Sequence, residues 1–255
     1  MKRTGQRSTS SASLLWPQAP DALRLAPNEV HVWAAPLEVS AAARARLAAT
    51  LSDDERERAA QFKFENLRHR YVAGRGLLRD LLSRYVNADP VAVELTYSDH
   101  GKPSLASQFA GAGIHFNLAH SDDLALFAFT RAGAVGVDVE WIRPVKDMEE
   151  LVARFFSPRE SELFRELAAA DRPAAFFNLW TRKEAMLKAT GEGLTGSLSR
   201  IEVSFLPGES ARVIRIAGDP AAAAEWSLRE LSPAEGFVGA VAVRCKNLRV
   251  QCWKW

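Results

Sequence analysis

The feature that most limits what this chain can become is an order of elements written twice along its length. His31-Val-Trp-Ala-Ala-Pro-Leu37 reads as a short strand ending at a proline. Ser52-Asp-Asp-Glu55 reads as a helix start, with a serine N-cap and a glutamate three residues on. A long helix follows from about Asn66 to Val86, where Leu67, Tyr71, Leu78, Leu81, Leu82 and Tyr85 form an apolar stripe at helical spacing. Strands are expected at Val93–Tyr97, Ile114–Leu118 and Leu124–Thr130, the first two parted by a Gly101-Lys-Pro103 turn. The order then recurs. Val135–Trp141 is a strand, and Ser157-Pro-Arg-Glu160 repeats the capped start with proline at the first helical position. A longer helix runs from about Pro173 to Thr190 and stops at Gly191 and Gly193. Strands follow at Ile201–Phe205, Arg212–Ile216, Trp226–Leu231 and Phe237–Val243. The halves share this order without an alignable residue repeat.

The expected architecture is therefore α+β: two similar halves related by a pseudo-twofold, each a small antiparallel sheet packed with helices, with the active site in the cleft between them. The divisions expected are a flexible leader over residues 1–25, an N-terminal half over 26–133 and a C-terminal half over 134–255. The leader is rich in Ser, Thr and basic residues before Trp16 and lacks the apolar core of a secretory signal. The longest apolar runs, Leu124–Phe129 and Phe237–Val243, are strand-sized, so a cytoplasmic protein without a membrane span is expected. Cys245 and Cys252 fit no zinc spacing and read as reduced thiols. A formal charge of +2 gives no global field for nucleic acid, so anion recognition must rest on a few placed side chains.

Two short segments carry chemistry. Asp138 and Glu140 lie two apart on a strand and project from one face, where like charges repel unless a cation or basic groups sit between them. Alone, the pair reads equally as a solvated strand face with salt-bridge partners. In Trp180-Thr-Arg-Lys-Glu-Ala-Met-Leu-Lys188, the spacing of four puts Trp180, Glu184 and Lys188 on one helix face, with Lys183 beside them. That is either an exposed Glu–Lys pair or a third oxygen ligand for a hard cation such as magnesium, with a lysine for the phosphates such an ion accompanies.

Together, Gly136-Val-Asp-Val-Glu140 and Trp180-x-x-Lys-Glu-x-x-x-Lys188 resemble the paired signature of 4′-phosphopantetheinyl transferases, of the large, monomeric, pseudo-twofold type that activates peptide and polyketide synthases. Arg154-Phe-Phe-Ser157 lies between them as in that type. Gly101-Lys-Pro103 and Phe116-Asn-Leu-Ala-His-Ser121 resemble its two upstream motifs, in the expected order. The resemblance runs from about residue 50 to 200.

The resemblance implies transfer of the 4′-phosphopantetheine arm of coenzyme A to a serine of an apo carrier protein, with magnesium as cofactor and adenosine 3′,5′-bisphosphate as the product released. The partners implied are the carrier and coenzyme A, with no nucleic acid and no membrane. Asp138, Glu140 and Glu184 match the metal ligands; Lys188 matches a phosphate-contacting lysine, and Glu184 also matches the general base. Asn117, Leu118, Ala119 and His120 match a segment holding the 3′-phosphoadenosine, and Gly101 and Lys102 belong to a second one lining the adenine. Arg58 stands where the family places a basic residue for the 3′-phosphate, although Arg56, Lys63 or Arg70 could share that role. Ala119 stands where some members have serine, and His100 departs from the usual residue before Gly-Lys-Pro. Singly, each basic residue here also reads as part of a solvated helix face, and His120 as a hydrogen-bonded structural histidine.

Overall fold

The computed structural model describes residues 13–99, 101–191 and 198–255; His100 and Gly193, on which two of the expectations above fall, lie outside the described residues. In the first half, β1 (Glu29–Pro36) leads into α1 (Ala41–Ala49), α2 (Asp53–Ala60) and α3 (Glu65–Val86). A hairpin of β2 (Leu95–Tyr97) and β3 (Pro103–Leu105) follows, then β4 (His115–Ser121) and β5 (Leu124–Thr130). The second half gives β6 (Val135–Trp141), α4 (Met148–Phe155), α5 (Pro158–Glu166) and α6 (Arg172–Thr190). It continues with the hairpin of β7 (Ile201–Val203) and β8 (Val213–Ile216), the short α7 (Pro220–Ala223), and β9 (Ser227–Leu231) and β10 (Phe237–Val243).

The duplication extends to sheet connectivity. β5 pairs antiparallel with both β1 and β4, and β10 pairs antiparallel with both β6 and β9. The fold is thus α+β, of two halves in which a sheet is packed with helices.

The central strands are buried on both faces, and the alternation of their side chains between those faces builds a stack of helix, sheet, sheet, helix. Trp33, Ala35 and Phe127 face Leu77, Leu78 and Leu81 of α3. Val30, Val32, Ala34 and Leu126 face the other way, against Val135, Val137, Val139 and Val241 of the second sheet. The far side of that sheet, with Ala240 and Ala242, packs on Ala185, Met186 and Ala189 of α6.

Both capped starts form as the sequence indicates: Glu55 accepts from the Ser52 amide at 3.1 Å, and Glu160 accepts from the Ser157 amide at 2.9 Å. The Arg154–Ser157 segment closes α4, drives Phe156 into the core and caps α5 with the Ser157 hydroxyl, which accepts from Glu160 N at 3.2 Å. Several elements go beyond the pattern read from the sequence, among them α1, α4 and a last strand. α1 buries only Ala43 and Leu47, so its apolar stripe is narrow, whereas α4 packs Met148, Leu151, Val152 and Phe155 at helical spacing against the second core. β11 (Arg249–Lys254) runs back to pair in parallel with β1, so the last residues of the chain complete the first sheet.

Of the expected leader, residues 1–12 lie outside the described residues. Beyond them Leu14 bridges to Ala234, the Lys254 amide donates to Pro17 O at 2.9 Å, and Leu23 and Leu25 pack beside α3. Cys245 and Cys252 are both free thiols, and burial pushes Cys252 up to about 12. No described helix is long and apolar enough to cross a membrane.

Candidate active site

β6 is an edge strand of its sheet, and an edge strand leaves backbone donors and acceptors to be satisfied. Here side chains, two of them from β4, take the place of a neighbouring strand. The Asn117 carboxamide accepts from Val137 N at 2.9 Å, and the Ser121 hydroxyl accepts from Trp141 N at 3.1 Å. Lys188 Nζ donates to Val137 O at 3.3 Å, and Lys102 Nζ donates to Val135 O at 3.3 Å. Residues from both halves thereby meet along one strand, and that strand carries the carboxylates.

The opposite face of β6 lies against α6. A Cβ on Gly136 would fall 2.0 Å from Ala185 O and 2.5 Å from Ala189 N, so only glycine lets the strand come this close to the helix. This approach sets Asp138 and Glu140 beside Glu184 and Lys188. Lys188 Nζ donates to Asp138 Oδ1 at 2.6 Å, while Asp138 Oδ2 is buried without a hydrogen-bond partner. Glu184 Oε1 is likewise buried and unpartnered. Glu140 Oε2 accepts from the Ser121 hydroxyl at 2.8 Å and from Arg143 Nη1 at 3.1 Å.

Burial pushes the Asp138 carboxyl up to about 7; the Lys188 ammonium opposes this, and repulsion from Glu140 and Glu184 adds to it. Glu184 is also raised, first by burial, against Lys188 and with help from Glu140. The three carboxylates feel one another but are not closed on a point: no group of three or more His, Cys, Asp or Glu among the described residues is already gathered as a metal site. Two buried, unpartnered carboxylate oxygens with raised proton affinity are nevertheless the donor chemistry that a hard divalent cation satisfies. The residues fit magnesium.

A cleft of about 970 Å³ opens beside these groups and is lined by both halves. Arg58, Gly101, Lys102, Asn117, Leu118, Ala119 and His120 line it from the first half; Glu140, Glu184 and Lys188 line it from the second. Asp138 lies just behind this wall, 6 % exposed. Arg58 on α2 is exposed, and its guanidinium makes no hydrogen bond or ion pair among the described residues, leaving it available to an anion. Of the alternatives, Arg56 is tied to Leu51 O and Asp53, and Arg70 lines the cleft but is held by Glu38 and Asp122. Gly101 takes φ +74°, which closes the Ser98–Lys102 turn, where the Gly101 amide donates to Ser98 O at 2.8 Å. Surrounding atoms lower the proton affinity of His120, and the Lys188 and Arg70 charges lower it further against the opposing pull of Glu140.

Some roles could not be read from residue types. The Asn117 side chain is spent on β6, leaving the exposed edge of β4 to face a ligand. Lys183 does not share the face of Glu184. It is fully buried, with Nζ donating to Glu160 Oε2 at 2.5 Å and to Leu198 O at 2.8 Å. Its lysine-glutamate neighbourhood in sequence conceals that it anchors the cap of α5. Ser121 and Arg143, which hold Glu140, carried no signal beyond their places next to the motifs.

Comparison with known proteins follows the same division. Residues 134–242 match the family described as the 4′-phosphopantetheinyl transferase superfamily, and residues 38–131 match the N-terminal region of 4′-phosphopantetheinyl transferases. The chain is 42% identical over 240 residues to the 4′-phosphopantetheinyl transferase HetI of Nostoc sp., covering 94% of this chain and 98% of that protein. It is 34% identical over 219 residues to a phosphopantetheinyl transferase of Thraustochytrium sp., covering 80% and 74%. To the 4′-phosphopantetheinyl transferase Sfp of Bacillus subtilis it is 29% identical over 161 residues, covering 62% and 68%.

Proposed function

This chain belongs to the 4′-phosphopantetheinyl transferase superfamily and transfers 4′-phosphopantetheine to carrier proteins, and we propose that its inter-half cleft is where coenzyme A is held and cut. The observation that carries this reading is the pair of buried, unpartnered oxygens of Asp138 and Glu184 beside the Lys188 ammonium, at the wall of a cleft that Arg58 and His120 also line. In this reading the N-terminal half, 26–133, grips the nucleotide, and the C-terminal half, 134–255, carries the metal chemistry.

Asp138, Glu140 and Glu184 would hold magnesium, which when bound neutralises pyrophosphate charge. Lys188 adds a cation on the same oxygens, so negative charge accumulating on the leaving bisphosphate meets fixed positive charge. The backbone of Asn117–Ala119, His120 and the Gly101–Lys102 turn orient the 3′-phosphoadenosine, and Arg58 faces the 3′-phosphate. The carrier's serine oxygen attacks the β-phosphorus of coenzyme A and forms the new P–O bond. The bond to the bridging oxygen breaks, and adenosine 3′,5′-bisphosphate leaves with that electron pair. Glu184 receives the serine proton, a task that suits a carboxylate whose proton affinity is raised by burial. The nucleophile comes from the partner, so the chain needs no nucleophile of its own. The reading further places the protein in the cytoplasm as a monomer.

Intact-mass measurement of several apo carrier proteins, after incubation with this protein, coenzyme A and magnesium, tests the proposal. Each carrier that is a substrate gains one phosphopantetheine mass; no gain on any carrier would sink the reading.

A further inference from the structure

The Lys102 side chain leaves its own hairpin and crosses to the other half. Its ammonium donates to Lys188 O, in the last turn of α6, and to Val135 O, at the start of β6. The last four carbonyls of a helix lack partners within it, and a cation at that end also opposes the helix dipole. In α6, Leu187 O receives the Gly191 amide at 2.9 Å, and Lys188 O receives Lys102. One residue thus supplies a carbonyl to Lys102 and an ammonium to Asp138. Along the β6 edge, Lys102 and Lys188 occupy the successive carbonyls of Val135 and Val137. The turn lines the cleft through Gly101, Lys102 and Pro103, while the Lys102 ammonium is engaged by the Lys188 and Val135 carbonyls.

We propose that Lys102 is a positioning residue: a tether that caps α6 from the opposite half and so fixes the Lys188 ammonium on the Asp138 side of the cleft. Its side chain acts through Lys188 and not on a phosphate. Contact of a nucleotide with the turn is thereby coupled to the geometry of the reacting end. The inference rests on the reading of the cleft as the coenzyme A site, and it deepens that reading by separating the backbone of the Gly101–Lys102 turn from the lysine side chain. Burial lowers the proton affinity of Lys102, in keeping with an ammonium enclosed between carbonyls.

The test compares Lys102→Met and Lys102→Arg with the unaltered chain, using coenzyme A, 3′-dephospho-coenzyme A and a carrier that the unaltered chain modifies. Lys102→Met is expected to lower kcat roughly tenfold with both co-substrates and to change KM for coenzyme A less than about threefold, as misplacement of a reacting group does. Lys102→Arg, which keeps donors for both carbonyls, restores kcat to within about threefold. In hydrogen exchange without co-substrate, the amides of residues 187–191 exchange faster in Lys102→Met than in the unaltered chain. An unchanged kcat, or a KM raised for coenzyme A alone, overturns the tether. If Lys102→Met fails to fold, Lys102→Arg carries the test, and a tenfold loss there overturns the proposal. Absence of transfer by the unaltered chain would strike the functional reading instead, and the exchange data, taken without co-substrate, then judge the tether by themselves.

Discussion

Lys188 Nζ stands 2.6 Å from Asp138 Oδ1, and this pairing leaves the other Asp138 oxygen buried with nothing to bind. A carboxylate half-neutralised by a lysine and half-unsatisfied is ready to accept a second cation. Asp138→Ala removes both the ion-pair partner and the ligand. Transfer is expected to fall by at least about a hundredfold, the scale on which loss of a group stabilising transition-state charge is felt. The fold should persist, because the change removes a carboxylate that is only partly satisfied, and Lys188, which lines the cleft, can be hydrated there. Normal turnover by Asp138→Ala at saturating magnesium would exclude Asp138 as a ligand.

The same carboxyl links metal binding to pH. Its proton affinity is raised from the ordinary 3.8 to about 7, so between those values the folded chain keeps a proton that the unfolded chain gives up. The stability it contributes is full below about pH 4 and is lost as the pH climbs through 7. A divalent cation offsets the exposed charge in the upper part of that window, where the carboxyl must otherwise ionise against Glu140 and Glu184. Magnesium should therefore raise Tm more at about pH 8 than at about pH 5.5. In Asp138→Asn that difference should disappear. Equal magnesium shifts at the two pH values in the unaltered chain would remove Asp138 from the binding site.

Glu184 gives a kinetic counterpart. Burial raises its proton affinity, so a Glu184 base makes the rate climb with pH above the ordinary carboxylate range. Glu184→Gln keeps the shape and loses both the charge and the base, and kcat should fall by about a hundredfold or more with the acid limb flattened. A Glu184→Gln variant that keeps the acid limb would assign the proton transfer to another group.

Gly136→Ala probes how the two motifs are brought together. The added Cβ would lie 2.0 Å from Ala185 O, and helix backbone cannot yield as a side-chain tip can. Strand and helix must separate, at a cost of about 3 kcal/mol, the upper part of the usual range for overpacking. Urea denaturation should show this loss, and the surviving folded protein should transfer slowly, because Asp138 moves away from Glu184 and Lys188. A change within about 0.5 kcal/mol, typical of an uncritical surface site, would mean that the close approach is not needed.

Much of the fold was legible because its elements carry local signals. Ser52 with Glu55, and Ser157 with Glu160, marked two helix starts, and the apolar run of β10 matches a strand buried along its whole length. What escaped was decided by distant partners. α1 shows mostly alanine and arginine and buries little, so its periodicity is faint. β11 exists because β1 has a free edge, a fact about residues more than two hundred positions away. In the site, side-chain spacing put Asp138 with Glu140 on one strand face and Glu184 with Lys188 on one helix face, but only the resemblance joined the two segments into a candidate site. The Lys102 contact with α6 and the Asn117 contact with β6 were not legible, because each depends on how one half meets the other.

Lys183 was placed by the sequence only beside the face of Glu184, and the structure gives it different surroundings. Its ammonium is enclosed by Glu160, Leu198 O and the face of Phe156, 5.1 Å away. Glu160 depends on it in turn, since its carboxylate also receives the Ser157 and Val203 amides. Lys183→Met strands a buried carboxylate and should cost about 3–5 kcal/mol. Lys183→Met with Glu160→Gln removes both charges and keeps an acceptor for one of the two amides, so it should recover part of that loss. Under conditions where the variants are folded, KM for coenzyme A should stay near that of the unaltered chain, because Lys183 does not line the cleft. Denaturation midpoints and steady-state kinetics on the single and double variants separate the two roles. A KM raised tenfold in a fully folded Lys183→Met variant would instead give this lysine a part in coenzyme A binding.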